Sequence, residues 1–581
     1  MLSHLSSAAR PTFRTVAPML HGLIVLFLLL AAVLTLIAGV VLVSLYRAAV
    51  RRNMQTGVTQ SPAVDALPPP RTAPVRDVAA ALRAARLAYA RVAGVYTAAG
   101  LLHAGISAMI LFSIGGLAFD PIRAAILFWA LAWPVLLTLV LLWGPDRKRQ
   151  GLTVLAYFAG LAVLCVWVGV FSQTPPLQMS WPVDYTLPAF AQPLLYWATS
   201  TAPSIFLLLF LNRQVRNVGP LILLFMTIAV SGAIIVVLLQ FSGQVALALI
   251  VRVQISFATM LPSLGPRAAT IFALYGFQFL GAVLSAIPAW LVVRLIVHRY
   301  VARKISDQAI MLDSIWLLMT LFLCEGLVGS EGMIGWLGLA AFAGYKLTVM
   351  LGLRPLQRAA ARREPPRLLL LRTFGTRRRS EQLFDLLATR WRYAGTIELI
   401  AGPDLATTAL DLRDFLDFVS GRLSESFIHN ADDLARRVAA MDARPDPDGR
   451  FRVDSFFCAA HTWQQTVTRL IGGIDVVLMD LRGFAARHAG CRFELGVLMR
   501  LAPLDRVVLL IDHTTDEPLL HEILQGGADA AAAGPVAARP HILRADGGAA
   551  AAVRKFSDIC QGIGERGTGL TAAAPARAAC T

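Results

Sequence analysis

Residues 18–46, PMLHGLIVLFLLLAAVLTLIAGVVLVSLY, run for 29 positions without a Lys, Arg, Asp or Glu. That exceeds the roughly 20 apolar residues that carry a helix across a bilayer. The run is too long for the apolar region of a signal peptide and lacks a small-residue cleavage site, so it reads as a first spanning helix. Comparable runs follow at 94–117, 123–144, 151–172, 193–212, 218–241, 269–297, 309–327 and 333–353. The expectation is a polytopic all-α membrane domain of about nine transmembrane helices over 18–353, preceded by an external tail, 1–17. With 56% hydrophobic residues in 581, a single soluble domain is excluded.

The formal charge of +17 raises the question of nucleic acid, and its distribution answers it. Residues 1–353 hold 23 Lys/Arg against 9 Asp/Glu, while 354–581 hold 30 against 27, so the excess lies in the apolar part. A nucleic-acid footprint would sit on the soluble part; loops retained on the cytoplasmic side explain this pattern better. Nine spans place the termini on opposite faces. Putting the loops after spans 1, 3, 5 and 7 inside gathers 16 Lys/Arg there, against five on the other face. This orients the C-terminus to the cytoplasm of a bacterial inner membrane, and the Ala/Arg richness fits a GC-rich bacterial genome. Residues 47–93, basic and Pro-rich before an Ala/Arg helix, read as a cytoplasmic surface linker. The run 243–267, interrupted by Arg252, reads as a short interfacial or re-entrant helix.

Charge inside a span is a functional hint. Asp313, Glu325, Glu331 and Lys346 lie in the last apolar hairpin, with Arg294 near a helix end. In the plainer reading Glu325 and Glu331 flank a turn, GLVGSEG, at the outer interface, while Arg294 and Lys346 snorkel inward. An ion or transport pathway, making the chain a transporter or channel with a regulatory tail, is the alternative. The six cysteines show no CxxC or paired spacing, and no metal-site fingerprint occurs, so neither a disulfide frame nor a metal is expected.

Composition changes at Arg354. A basic linker, 354–366, leads into a domain over 367–565, and an Ala/Gly/Thr/Arg end, 566–581, reads as disordered. RLLLLRTFG suits a buried parallel strand, SEQLFDLLATRWRYAG a helix, and TIELIAG a second strand. Residues 404–450 are less regular, with two helical stretches and a turn at DARPDPDGR. Strand and helix then alternate through FRVDSFFC, HTWQQTVTRLIGGI, DVVLMDL, CRFELGVLMRLA and DRVVLLID. The expectation is a cytoplasmic α/β domain with a flavodoxin-like parallel sheet, whose ligands bind at the carboxyl ends of the strands. Asp480, Arg482, Gly483, Glu494 in a first helical turn, and Asp512 would face that rim, and Trp463 would be core. Arg372, Phe374 and the arginines 377–379 follow the first strand; a solvated surface or attraction to anionic lipid is the plainer reading, and contact with a phosphate or pyrophosphate is the alternative.

The series DVVLMDLRGF, HAGCRFELGVLM, DRVVLLID resembles nucleoside 2-deoxyribosyltransferases, whose pattern is a strand, a loop, then D-x-G-T-x-x-E-x-G and a further strand. Gly490, Glu494 and Gly496 match in register, and Asp475 and Asp480 agree; His488 stands for the pattern's Asp and Cys491 for its Thr. The same stretch is similar to TIR domains, with S-x-W-C-x-x-E-L matched at Cys491, Glu494 and Leu495. The likeness covers about 370–515. Both resemblances imply that Glu494 acts at an N-glycosidic bond, as nucleophile in one family and as the essential carboxylate of NAD-cleaving members in the other. They imply a catalytic Glu494, ligand contacts at Asp480, Arg482, Gly490, Gly496, Arg372 and Phe374, and a nucleotide or nucleoside ligand. NAD would be a substrate rather than a cofactor. Partners are the lipid bilayer and a second copy of the chain, not nucleic acid. A non-enzymatic signalling or assembly module, with Glu494 favoured only by the helix dipole, is the other reading.

Overall fold

The structure is a computed structural model that describes residues 40–54, 76–114, 119–144, 146–171, 177–179, 185–201, 286–373, 377–400, 420–531, 539–545 and 547–571, with scattered residues between. The chain divides into two compact units, one of residues 1–41 and 93–353, the other of residues 42–92 and 354–581.

Five helical stretches, lying wholly or mostly in the first unit, are long and apolar enough to cross a membrane: Val78–Ser113, Pro121–Trp143, Arg147–Phe171, Asp307–Val328 and Gly332–Ala361. They coincide with the expected spans at 94–117, 123–144, 151–172, 309–327 and 333–353. Most of the other four expected spans, and 243–267, lie outside the described residues; Gln192–Thr201 and Ala286–Val301 are helical parts of two of them. Pro121–Trp143 consists of two pieces joined at Ala132, where Pro134 cannot donate a backbone hydrogen bond. The loop expected between the fourth and fifth of the nine spans carries a short antiparallel hairpin, with Met179 opposite Tyr185.

One expectation is corrected in the last hairpin. GLVGSEG is not a turn: the helix from Asp307 runs on to Glu331, and the reversal is made by Gly332–Gly338. Glycine does not stop a helix where no water competes for its backbone groups. Glu325 therefore sits about 9 Å inside the helix end at 1.5 Å per residue. The reversal packs tightly, since a Cβ on Gly335 would fall 2.4 Å from Val328 N and one on Gly338 2.7 Å from Cys324 Sγ.

The second unit contains a seven-stranded, all-parallel sheet. Its strands are β1 (Arg367–Arg372), β2 (Thr396–Ile400), β3 (Phe427–Ile428), β4 (Val453–Cys458), β5 (Val476–Asp480), β6 (Val507–Ile511) and β7 (His541–Arg544), in the order β3-β4-β2-β1-β5-β6-β7. Parallel strands buried on both faces need continuous apolar runs, and Leu368 to Leu371 are at most 4% exposed. The helices are α1 (Arg377–Trp391), α2 (Ala431–Ala439), α3 (Trp463–Ile471), α4 (Ala489–Leu501), α5 (Glu517–Ala531) and α6 (Gly548–Thr571). Leu369 and Leu371 pack with Val467, Leu470, Leu495 and Leu498 of α3 and α4. The opposite face receives α1 and α6, whose Trp391 and Phe556 rings lie 6.0 Å apart. Each such side chain removed from water contributes about 2 kcal/mol. The last helix continues to Thr571, past the boundary expected at 565, because no proline interrupts it before Pro575.

The segment expected to be a surface linker, 47–93, belongs to the sheet unit. Its helical parts, with the adjoining Tyr46, supply an apolar face that a solvated linker would lack: Tyr46, Val50, Val78, Ala79 and Leu82 are buried. Tyr46 meets Phe418 edge-on at 5.4 Å, and Tyr89 meets Tyr393 at 5.7 Å. The polar link is Asp475, just before β5 and 3% exposed. It accepts from Arg367 N at 2.8 Å, Arg76 Nη1 at 3.1 Å and Arg76 N at 3.4 Å. Arg367 in turn binds the fully buried Glu398 through Nε at 2.5 Å and Nη2 at 3.0 Å. Burial pushes the Glu398 carboxyl up, and the Arg367 guanidinium offsets part of that rise. Replacing Asp475 by Ala strands a buried N–H and a partly buried guanidinium, so denaturant unfolding of the full-length protein should lose about 3 kcal/mol. Arg76→Ala should lose about 1 kcal/mol, because this arginine is partly solvated.

Candidate functional site

Strand order reverses at β1, which has β2 on one side and β5 on the other. The crevice outside the carboxyl ends of β1 and β5 is therefore the topological switch point of the sheet, where open α/β sheets bind ligands.

Arg372 and Asp480 end these strands in register. Thr373 ties the ends together, its N–H and Oγ1 donating to Asp480 O at 2.8 and 3.1 Å. After β5 the chain turns through Gly483 at φ 78°, a conformation that L side chains rarely adopt. The fully buried Phe484 follows. Ala485 N then donates to His488 Nδ1 at 3.1 Å, and α4 begins at Ala489.

That start lies earlier than expected and corrects the reading of Glu494, which stands more than a turn inside α4 rather than in its first turn. The helix dipole acts within the first turn only, so capping does not account for this carboxyl. Glu494 is 3% exposed, and its Oε2 has no hydrogen-bond partner among the described residues. Burial pushes it up from 4.5 to about 8, against the pull of the nearby Arg372 guanidinium. Burial thus favours its protonated form at neutral pH. Arg372 is itself 4% exposed, and Cys491 Sγ lies 3.7 Å from its carbonyl oxygen.

The neighbouring charges are engaged with one another. Arg482 grips both Asp480 oxygens, through Nε and Nη2 at 2.7 Å each, and donates from Nη2 to Arg379 O at 3.1 Å. Arg379 Nη1 reaches Asp512 Oδ2 at 3.1 Å. Burial opposes ionisation of Asp512, but hydrogen bonds from Thr514 and the charge of Arg379 outweigh it and hold the carboxyl below its ordinary range. Asp480, Arg482, Arg379 and Asp512 thus form a linked rim.

Gly490 shares the Glu494 face of α4, four residues away, while Gly496 points to the opposite side. Neither glycine is forced by crowding: a Cβ on Gly490 would meet Trp463 at an ordinary 3.7 Å, and one on Gly496 would meet nothing within 4 Å. Trp463 packs against the core, its ring 5.3 Å from Phe493. Phe374 lies outside the described residues. Sequence reasoning did not single out Thr373 or Thr515, whose Oγ1 donates to Leu481 O at 3.0 Å and accepts from Asp512 N at 3.1 Å. The available signal was a threonine at each strand exit. Among the described residues no three His, Cys, Asp or Glu side chains converge to hold a metal.

No protein-family model, curated protein or solved structure matches this chain.

The raised Glu494 carboxyl links stability to pH. Its proton affinity is higher folded than unfolded, so its contribution is fully present below about pH 4.5 and is lost as pH rises towards 8. Glu494→Gln removes that dependence. Unfolding of full-length protein without ligand should show the two forms close in stability near pH 5, with the variant ahead by about 4 kcal/mol near pH 8. A gap independent of pH would contradict the assignment.

Proposed function

We propose that this is a bacterial inner-membrane protein with about nine spans and a cytoplasmic, TIR-like or deoxyribosyltransferase-like domain. That domain, built on a flavodoxin-like sheet, binds a nucleotide or nucleoside and cleaves its N-glycosidic bond in a membrane-linked signalling or defence response. The flavodoxin-like reading rests on strand order: β2-β1-β5-β6-β7 follows the 2-1-3-4-5 pattern, with β3 and β4 added beyond β2. Five membrane-length helices and the loop charges support the membrane topology.

The observation that carries the enzymatic reading is the buried, unpartnered Glu494 Oε2 at the switch point. Departure of the base leaves positive charge on the sugar C1′ as the C–N electron pair goes with the base. An anion beside C1′ stabilises or traps that cation, and water then completes the hydrolysis. Glu494 suits this step because burial keeps it neutral in the free site, while the cation developing at C1′ favours its ionised form, the released proton passing to the departing base or, where the base leaves neutral, to water. Arg372 favours the same ionised form. The Asp480–Arg482–Arg379–Asp512 rim holds the crevice in shape, and Arg379, the exposed member, is positioned for a phosphate.

The test uses the full-length protein in detergent, because 42–92 is part of the sheet unit. Incubated separately with NAD and with 2′-deoxynucleosides, it should release free base from at least one. Glu494→Gln should reduce release by about 100-fold or more without lowering the melting temperature. Base release unchanged in that variant, or no binding and no release with either substrate class, would overturn the reading.

A further inference from the structure

Three of the spanning helices share a polar core that the proposed function does not use. Val78–Ser113 carries His103 and Ser107, four residues apart on one face, with Tyr96 seven residues before His103. Asp307–Glu331 carries Asp313, Trp316 and Thr320 at intervals of three and four. These two helices run side by side in register: His103 Nε2 lies 2.8 Å from Thr320 Oγ1, and a Cβ on Gly100 would fall 2.6 Å from the Trp316 indole. The helix Leu339–Ala361 returns alongside, stacking Tyr345 on Trp316 at 5.2 Å and pairing Lys346 with Asp313. A Cβ on Gly344 would fall 2.6 Å from Ile106, so this helix also packs closely on the first.

The hydrogen bonds fix where protons sit. Thr320 Oγ1 donates its own hydrogen to Trp316 O at 2.9 Å, so at its contact with His103 it accepts and Nε2 donates. His103 Nδ1 faces the Ser107 hydroxyl at 3.4 Å. The imidazole, 3% exposed, therefore has a hydroxyl at each nitrogen. Nearer the Asp307 end, Asp313 Oδ1, Trp316 Nε1 and Tyr345 Oη have no hydrogen-bond partner among the described residues. Asp313 and Tyr96 both lie within electrostatic range of Tyr345. One acceptor, one donor and one hydroxyl of both kinds form a set that water would bridge. Left unmet, each such buried group costs about 1–3 kcal/mol, and lipid offers no substitute.

At 1.5 Å per residue, Thr320 stands about 10 Å along its helix from Asp313, and the half-buried Glu325 about 18 Å. The file from Asp313 through Tyr345, Thr320, His103 and Ser107 to the level of Glu325 therefore covers more than half of a hydrocarbon core of about 30 Å. Besides His103, the titratable and charged groups in these stretches of the three helices are Tyr96 from its own helix, Asp313, Cys324 and Glu325 from the second, and Tyr345 and Lys346 from the third.

We propose that this file is a proton path through the membrane unit, with His103 and Asp313 as its proton-carrying groups. A proton arriving past Ser107 binds His103 Nδ1, and the imidazolium gives up its Nε2 proton to Thr320 Oγ1. Thr320 releases its own hydroxyl proton through water to the Asp313 carboxylate. The protonated carboxyl loosens its pairing with Lys346, which remains an ammonium, and passes the proton out towards Asp307. One proton enters and one leaves, and rotation of the ring and hydroxyls resets the path.

The test places the full-length protein in liposomes that enclose a pH-sensitive dye, with a potassium gradient and valinomycin setting the voltage. Internal acidification should run clearly above that of protein-free vesicles. Asp313→Asn and His103→Gln should each slow it by about tenfold or more, since neither new amide carries a proton at neutral pH. Asp313→Glu should restore it, and Thr320→Val, of nearly the same shape, should match His103→Gln if that variant does not reconstitute. Wild-type flux no faster than that of empty vesicles, or equal flux in wild type and both amide variants, would overturn the proposal.

Discussion

Charge removed from water has to be paired, and the sheet unit is organised around that requirement at Arg367, Glu398 and Asp475. Glu398 lies on β2 with no exposure, and Asp475 precedes β5 with almost none. Arg367, opening β1, binds the first through its side chain and the second through its backbone. The three strands that define the switch point are thus fixed to one another at their amino ends by charge-assisted bonds, roughly twice as strong as neutral ones. Arg76 extends the network into residues 42–92, which explains why that segment belongs to the unit. Neither acid is stable there alone, so the register of β1 against β2 and β5 is hard to slip.

The carboxyl ends of the same strands follow the rule with one exception. Asp480 is matched by Arg482 and Asp512 by Arg379. Glu494 is buried like Glu398, yet among the described residues one of its oxygens has no partner, and the nearby Arg372 does not bring it back to the ordinary range. A domain that pairs its other inner acids so closely and leaves this oxygen unmet holds a group suited to an incoming positive charge. The first unit repeats the contrast on a smaller scale, with Lys346 bound to Asp313 by one oxygen while the other has no partner among the described residues.

The alternation of strand and helix was legible because parallel strands buried on both faces must be continuously apolar, as in RLLLLR and DRVVLLID, while Leu383, Phe384, Leu387 and Trp391 keep helical spacing. The five described stretches long and apolar enough to cross a membrane were legible from length and few charges. Sequence reasoning missed α5, β7 and α6, where a long Ala/Gly run blurs both periods. Residues 47–93 were read as solvated because Arg and Pro dominate their composition, whereas a few spaced apolar side chains decide their burial. Glu494 was found from its spacing to Gly490 and Gly496, but its depth in the helix was not: the helix start depends on His488 accepting from Ala485, a contact without a sequence signature. The pairing of Asp480 with Arg482 was equally hidden, since side chains two apart on a strand share a face but stand about 7 Å apart, and close on each other only where the chain turns after the strand.

The central claim, that Glu494 is a neutral carboxylic acid poised at the switch point, is open to direct observation by infrared difference spectroscopy. Spectra of full-length wild type minus Glu494→Gln cancel the other buried acids and isolate one carboxyl. The account predicts a protonated C=O band at neutral pH that converts to carboxylate near pH 8, and earlier when a cationic ligand binds. A carboxylate band persisting from neutral pH down to the ordinary glutamate range would contradict it.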